Sequence, residues 1–183
     1  MTDRVALDAD TVVDRDVVVH PGAVGVVALD TDDNVVVLRQ YRHPVAAHLW
    51  EIPAGLLDEA GESPTSTAQR ELVEEAGVQA TDWHTLIDLY SSPGMSSETI
   101  RVFVARGLND VDPAARPLRT DEERDLVVAR VPLADLVHQI LAGHVHNALA
   151  VAGLLAAAES RRNGWGSLLP ADHPWPAPDW ALG

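Results

Sequence analysis

The sequence predicts an α/β or α+β domain in which helices pack on a sheet, and three observations carry that prediction. Short β-branched runs recur along the chain, a strongly capped helical stretch interrupts them near residue 63, and two apolar segments with a period near 3.6 follow after residue 132. Strands, helix, strands and helices in that order describe a layered sandwich. A chain of 183 residues with 46% hydrophobic content holds enough apolar material for one core.

TVVDRDVVV (11–19) reads as one or two strands within an N-terminal strand region of about residues 5–20. AVGVVALD (23–30) and NVVVLRQY (34–41) flank the turn-forming TDD, so they are expected to form a hairpin whose strands are buried on part of both faces. LWEIPAG (49–55) is expected to be one short strand ending in a Pro/Gly turn. HTLIDLY (84–90), TIRVFVARGL (99–108) and DLVVARV (125–131) add three strands, for a total of six or seven. PLADLVHQILAG (132–143) and NALAVAGLLAAAESRR (147–162) carry helical periodicity, with Gly143 as a stop. Residues 1–162 therefore read as a single domain. The remaining stretch, 163–183, holds three of the five Trp and four Pro. It reads as an irregular tail that packs its rings on the body or meets a second subunit.

The formal net charge of −15 argues against nucleic acid or an anionic membrane as a partner, because both require basic patches to release counterions. There is no run of about 18 apolar residues that would cross a bilayer, and the opening MTDRVALDAD lacks the basic-then-apolar layout of a signal peptide. A cytoplasmic location is the expectation. With no cysteine in the chain, a metal site would have to use oxygen or imidazole ligands.

The stretch AGESPTSTAQRELVEEAG (60–77) is the most informative. Ser63 followed by Pro64 is a helix start, because Ser caps exposed backbone N–H groups and Pro lacks the one that would be orphaned. Gly77 supplies the stop. Between them Ala68, Leu72 and Ala76 make a narrow inward stripe, and Glu71, Glu74 and Glu75 fall at i, i+3 and i+4 on one face. Like charges at those spacings cost about 0.2–0.5 kcal/mol each on a solvated helix. Glu near a helix C-terminus also opposes the macrodipole. Hard oxygen ligands crowded this way suit Mg²⁺ or Mn²⁺, whose charge turns repulsion into coordination.

Gly55, Glu62, Arg70, Glu71, Leu72, Glu74, Glu75, Gly77 and Val78 resemble the signature of the Nudix hydrolases, G-x5-E-x7-R-E-U-x-E-E-x-G-U, where U is bulky and aliphatic. Every spacing from Glu62 onward fits. Upstream, six residues rather than five separate Gly55 from Glu62, a longer loop similar to that of actinobacterial ADP-ribose pyrophosphatases. The resemblance implies a Nudix-fold α/β/α sandwich with a mixed sheet, N-terminal antiparallel strands and C-terminal helices. It implies hydrolysis of a nucleoside diphosphate derivative with Mg²⁺ or Mn²⁺ held by Glu71, Glu75, Glu74 and the carbonyl of Ala54, with Arg70 orienting the glutamates.

The similarity to ADP-ribose pyrophosphatases extends through HPGAVGVVALD, VVVLRQYRHP, LWEIPAGLLDEAGE and NALAVAGLLAA. Pro93, 16 residues past Gly77, is the position most diagnostic of that subfamily. The resemblance implies ADP-ribose as substrate, cleaved to AMP and ribose 5-phosphate. Arg42 would meet diphosphate or ribose oxygens, a task suited to its forked donors, and Glu98 would bind ribose. Pro93 and Met95 join the substrate-binding set. Trp50 either stacks on adenine or belongs to the core or a subunit interface. An acidic loop, RTDEERDLVV (119–128), stands where the subfamily supplies its general base. Glu122 and Glu123 are both candidates, and Glu74 is the fallback. A homodimer is implied, with Arg42 or Gln40 near the neighbouring subunit. Alternatives are another nucleoside diphosphate sugar or a dinucleotide such as NADH as substrate, or a non-catalytic ADP-ribose sensor.

Overall fold

The computed structural model describes residues 1–116 and 125–175. Among the described residues, ten strands and three α-helices follow one another as β1 (Thr2–Ala6), β2 (Val12–Asp16), β3 (Ala23–Ala28), β4 (Asn34–Arg42), β5 (Ala47–Glu51), β6 (Ala54–Leu56), α1 (Pro64–Ala76), β7 (Val78–Tyr90), β8 (Thr99–Asp110), β9 (Val127–Pro132), α2 (Leu133–Leu141), α3 (Ala148–Arg162) and β10 (Leu169–Pro170). A five-stranded sheet has the order β10-β7-β8-β3-β6, a three-stranded sheet the order β5-β4-β9, and β1 pairs with β2 alone. The larger sheet is mixed, since β3 runs parallel to β8 and antiparallel to β6.

β3 is buried at every position and organises two cores. Val24, Val26 and Ala28 point toward α1, where Ala68, Leu72 and Ala76 supply the inward stripe. On the opposite face Val27 meets Leu133 and Leu136 of α2 and Ala150, Leu154 and Ala157 of α3. Helices thus cover both faces of the sheet region, and the architecture is an α/β/α sandwich. Removing a side chain such as Leu72 or Leu154 from water stabilises by roughly 2 kcal/mol. These contacts hold α1 rigidly against the strands.

Two expectations are corrected. The runs 23–30 and 34–41 do not form a hairpin ladder: β3 and β4 lie in different sheets, and backbone pairing between the runs is confined to the turn, at the bridge Leu29–Val35 and the Asp30 N–H to the Asn34 carbonyl. Both edges of β3 are already taken by β8 and β6, which leaves β4 to pair with β5 and β9. Likewise LWEIPAG is not one strand. Glu51 ends β5 in the smaller sheet, Ala54 begins β6 in the larger one, and Ile52–Pro53 carries the chain between them.

The segment 163–175 lies on the body. Trp165 and Leu168 pack on the α2/α3 core, while Ala171 and Trp175 pack on the α1 core. Arg101, only 2% exposed, forks onto both carboxylate oxygens of Asp88 at 2.8 Å, donates to the carbonyls of His173 and Pro174, and lies 4.9 Å from the Trp175 ring centroid. Thr65 in the first turn of α1 donates to the Ala171 carbonyl. Arg101→Leu should lower stability by about 3 kcal/mol, because the half-buried Asp88 carboxylate and two carbonyls lose their donor together. A denaturant midpoint close to that of the parent would refute this.

Candidate active site

The sequence builds α1 as expected. Ser63 is the N-cap, its Oγ accepting from the Ser66 N–H at 3.1 Å, and Pro64 opens the first turn. Gly77 closes the helix at φ 66°, with its N–H directed to the Leu72 and Val73 carbonyls. The left-handed conformation of that cap favours glycine.

Arg70 interleaves with the acidic face of α1. Its Nε and Nη2 donate to Glu62 at 3.2 and 3.1 Å, and its Nη1 donates to Glu71 Oε1 at 2.7 Å and Glu74 Oε2 at 2.8 Å. The extra loop residue therefore leaves Glu62 in contact with the helix: a turn in which the Glu62 N–H reaches the Glu59 carbonyl brings it back, and the Thr67 hydroxyl also donates to it. The Glu62 hydrogen bond, with Glu71 and Glu74 behind it, raises the Arg70 guanidinium further above its ordinary range. In return, hydrogen bonding from Arg70, then from Thr67, lowers the Glu62 carboxyl below 4.5.

A carboxyl depressed in the folded state adds stability that is complete above its unfolded value and is lost as pH falls through the folded one. The stabilisation from the Glu62–Arg70 pair should therefore be present above about pH 4.5 and lost as pH falls further. Thermal midpoints of the parent and Glu62→Gln should converge as pH drops through that window. Parallel midpoint curves would refute the pairing.

Glu71 and Glu75 are 8% and 6% exposed. The Ala54 N–H donates to Glu75 Oε2 at 2.9 Å, and a Cβ at position 55 would lie 2.1 Å from Glu71 Oε1. Gly55 is thus the residue that lets the β6 backbone approach the helix carboxylates. As placed, no three acidic or histidine side chains among the described residues form a ready-made cation cage. Arg70 sits among the carboxylates. The donor chemistry nevertheless fits a hard divalent cation, with two buried carboxylates, a third on the same turn and a backbone strand against them.

Beside this helix opens a cleft of about 550 Å³ whose walls include Arg42, Ala54, Gly55 and Glu98. Arg42 forks onto Glu51, Nε to Oε1 at 2.9 Å and Nη2 to Oε2 at 2.7 Å. Glu51 is 5% exposed; no motif marks it in the sequence, although strand parity pairs it with Leu49 on one face of β5. Trp50 takes the other face and packs on the α2/α3 core, away from the walls of this cleft. Gln40 is buried. Pro93 and Met95 border a different cavity, of about 650 Å³, between their loop and the β1–β2 hairpin. Glu122 and Glu123 lie outside the described residues. Leu126, ahead of β9, is buried in the α1 core. Among the described residues no helix is long and apolar enough to cross a membrane.

Helix α1 thus presents three glutamates clamped by Arg70, inside an α/β/α sandwich, and Ala54 and Gly55, which touch Glu75 and Glu71, lead from it to the cleft. A NUDIX domain model matches residues 19–151, and the chain belongs to the Nudix hydrolase family. It is 43% identical over 173 residues to an ADP-ribose pyrophosphatase of Mycobacterium tuberculosis, covering 94% of this chain and 82% of that protein. It is 36% identical over 134 residues to an ADP-ribose pyrophosphatase of Bacillus subtilis, covering 73% and 70%. A crystal structure of an ADP compounds hydrolase superposes with a TM-score of 0.69 at 26% identity, over 91% of this chain and 94% of that one.

Proposed function

We propose that the chain hydrolyses the diphosphate of ADP-ribose to AMP and ribose 5-phosphate with Mg²⁺ or Mn²⁺. The observation that carries this reading is the convergence on one cleft of the box strand, Ala54 and Gly55, with Arg42 and Glu98. Glu71 and Glu75, against Gly55 and Ala54, offer a carboxylate set for cations, Arg42, braced by Glu51, a cation for phosphate oxygens, and Glu98 an acid for sugar hydroxyls. Water adds to one phosphorus, the bridging P–O bond breaks, and the two phosphomonoesters separate. Glu71, Glu75, Glu74 and the Ala54 carbonyl would hold the divalent cation, which neutralises diphosphate charge and lowers the pKa of bound water. Arg70 keeps Glu71 and Glu74 oriented. Arg42 orients the diphosphate, and Glu122 or Glu123 accepts the proton of the attacking water.

The proposal includes a homodimer and a cytoplasmic location. Val5, Val12, Val18 and Val19 are exposed around the N-terminal hairpin, as is Tyr41 on β4, and a second subunit would cover them. Product analysis tests the function: AMP and ribose 5-phosphate should appear from ADP-ribose in Mg²⁺ and stop on chelation. Faster AMP release from NADH or another nucleoside diphosphate sugar would replace the substrate. Calorimetric ADP-ribose binding without turnover would make the chain a sensor.

A further inference from the structure

We infer that His20 is a positioning residue that presets Glu98 as a directed acceptor for substrate sugar hydroxyls, an inference that rests on the cleft being the ADP-ribose site. The chain before β3 is laced to the loop before β8: the Val18 N–H donates to the Met95 carbonyl, the Ser97 N–H to the Val18 carbonyl, and the His20 N–H to Ser97 Oγ at 2.8 Å. These bonds fix the His20 backbone against residues 77 positions away. The Gly22 N–H donates to His20 Nδ1 at 3.1 Å.

That last bond sets the chemistry. A ring nitrogen that accepts carries no proton, so the neutral imidazole bears its hydrogen on Nε2. Nε2 stands 3.4 Å from Glu98 Oε1. The Ser91 hydroxyl donates to the other oxygen, Oε2, and the Glu98 N–H donates to Ser96 Oγ. One carboxylate oxygen is thus held by the Ser91 hydroxyl, and the other faces the His20 ring, whose backbone is anchored. Both Glu98 and Ser91 are on the cleft wall. An acceptor held in place before the ligand arrives loses less rotamer entropy on binding. His20 thereby contributes to binding without touching substrate.

A double-substitution cycle on the full-length protein with ADP-ribose and Mg²⁺ tests this. Glu98→Ala should raise KM about tenfold with kcat little changed, the pattern of lost uniform binding. His20→Ala should raise KM about threefold, roughly what one weak polar contact contributes, and His20→Gln, which keeps an N–H donor, should recover much of it. In the Glu98→Ala background, His20→Ala should add nothing, because its effect runs through the missing carboxylate. Should His20→Ala not fold by circular dichroism, His20→Asn replaces it in the same cycle. If the two KM effects multiply, His20 acts independently and the inference is overturned. If Glu98→Ala leaves KM unchanged, the reading of the cleft itself fails, which is a distinguishable result.

Discussion

Glu75→Gln is expected to lower kcat roughly a thousandfold or more, beyond the roughly 10–100-fold typical of residues that only support a metal ligand. The substitution keeps shape and hydrogen bonding. Its amide oxygen can still accept from the Ala54 N–H, now 2.9 Å from Glu75 Oε2. What it removes is one negative charge from a side chain 6% exposed, on the same turn as Glu71. For folding, the weaker bond to Ala54 and the relieved repulsion at i, i+4 oppose each other, so stability should stay within about 1 kcal/mol of the parent. A titration of activity against Mg²⁺ and a thermal melt on the same sample check both halves. A variant turning over at the parental rate would remove Glu75 from the metal-binding set. Glu74, more exposed and held by Arg70 at 2.8 Å, should show the smaller loss of the two.

The parts of this site that could be read in the sequence are those fixed within one element. Ser63, Pro64 and Gly77 bracket α1 because capping is local chemistry, and the 3.6-residue repeat places Ala68, Leu72 and Ala76 inward with no tertiary information. Sheet membership is different. β3 and β4 are apolar on both faces, so neither shows the alternation that would tell which neighbour it pairs with. The competition for the edges of β3 is decided by β8, which lies more than 70 residues away. Contacts such as Arg42 with Glu51 and His20 with Glu98 share that origin. Strand parity could have suggested the first, whereas nothing in residue spacing signals the second. Pro93 and Met95 join the substrate-binding set through the resemblance, yet the loop turns so that its ends, Ser91 and Glu98, line the cleft while Pro93 and Met95 between them face the other cavity.

Gly55→Ala separates the site from the fold. Its added Cβ would lie 2.1 Å from Glu71 Oε1, 2.2 Å from Cδ and 2.3 Å from Cγ, so the Glu71 side chain must swing away by more than an ångström. Gly55 is not among the glycines with positive φ, so alanine meets no backbone penalty there. The atoms in its way also belong to the outer part of a flexible side chain. Stability should fall by no more than about 1–2 kcal/mol, the range for relieving a local overlap. Catalysis should fall about a hundredfold, because misplacing a functional group by about 1 Å costs that much, and the 2.7 Å contact of Glu71 with Arg70 is lost with the displacement. Gly77→Ala makes the opposite test. There φ is 66° and the new Cβ would lie 2.6 Å from the Arg116 guanidinium carbon. Arg116 is an exposed side chain able to yield, so the cost is the left-handed backbone, about 1–2 kcal/mol. Its readout is the melting midpoint, with turnover by the folded fraction nearly unchanged. Two glycines in one motif thus serve different ends, one admitting a carboxylate and the other ending a helix. Equal losses of activity in the two variants at matched stability would show that Gly55 does not act through Glu71.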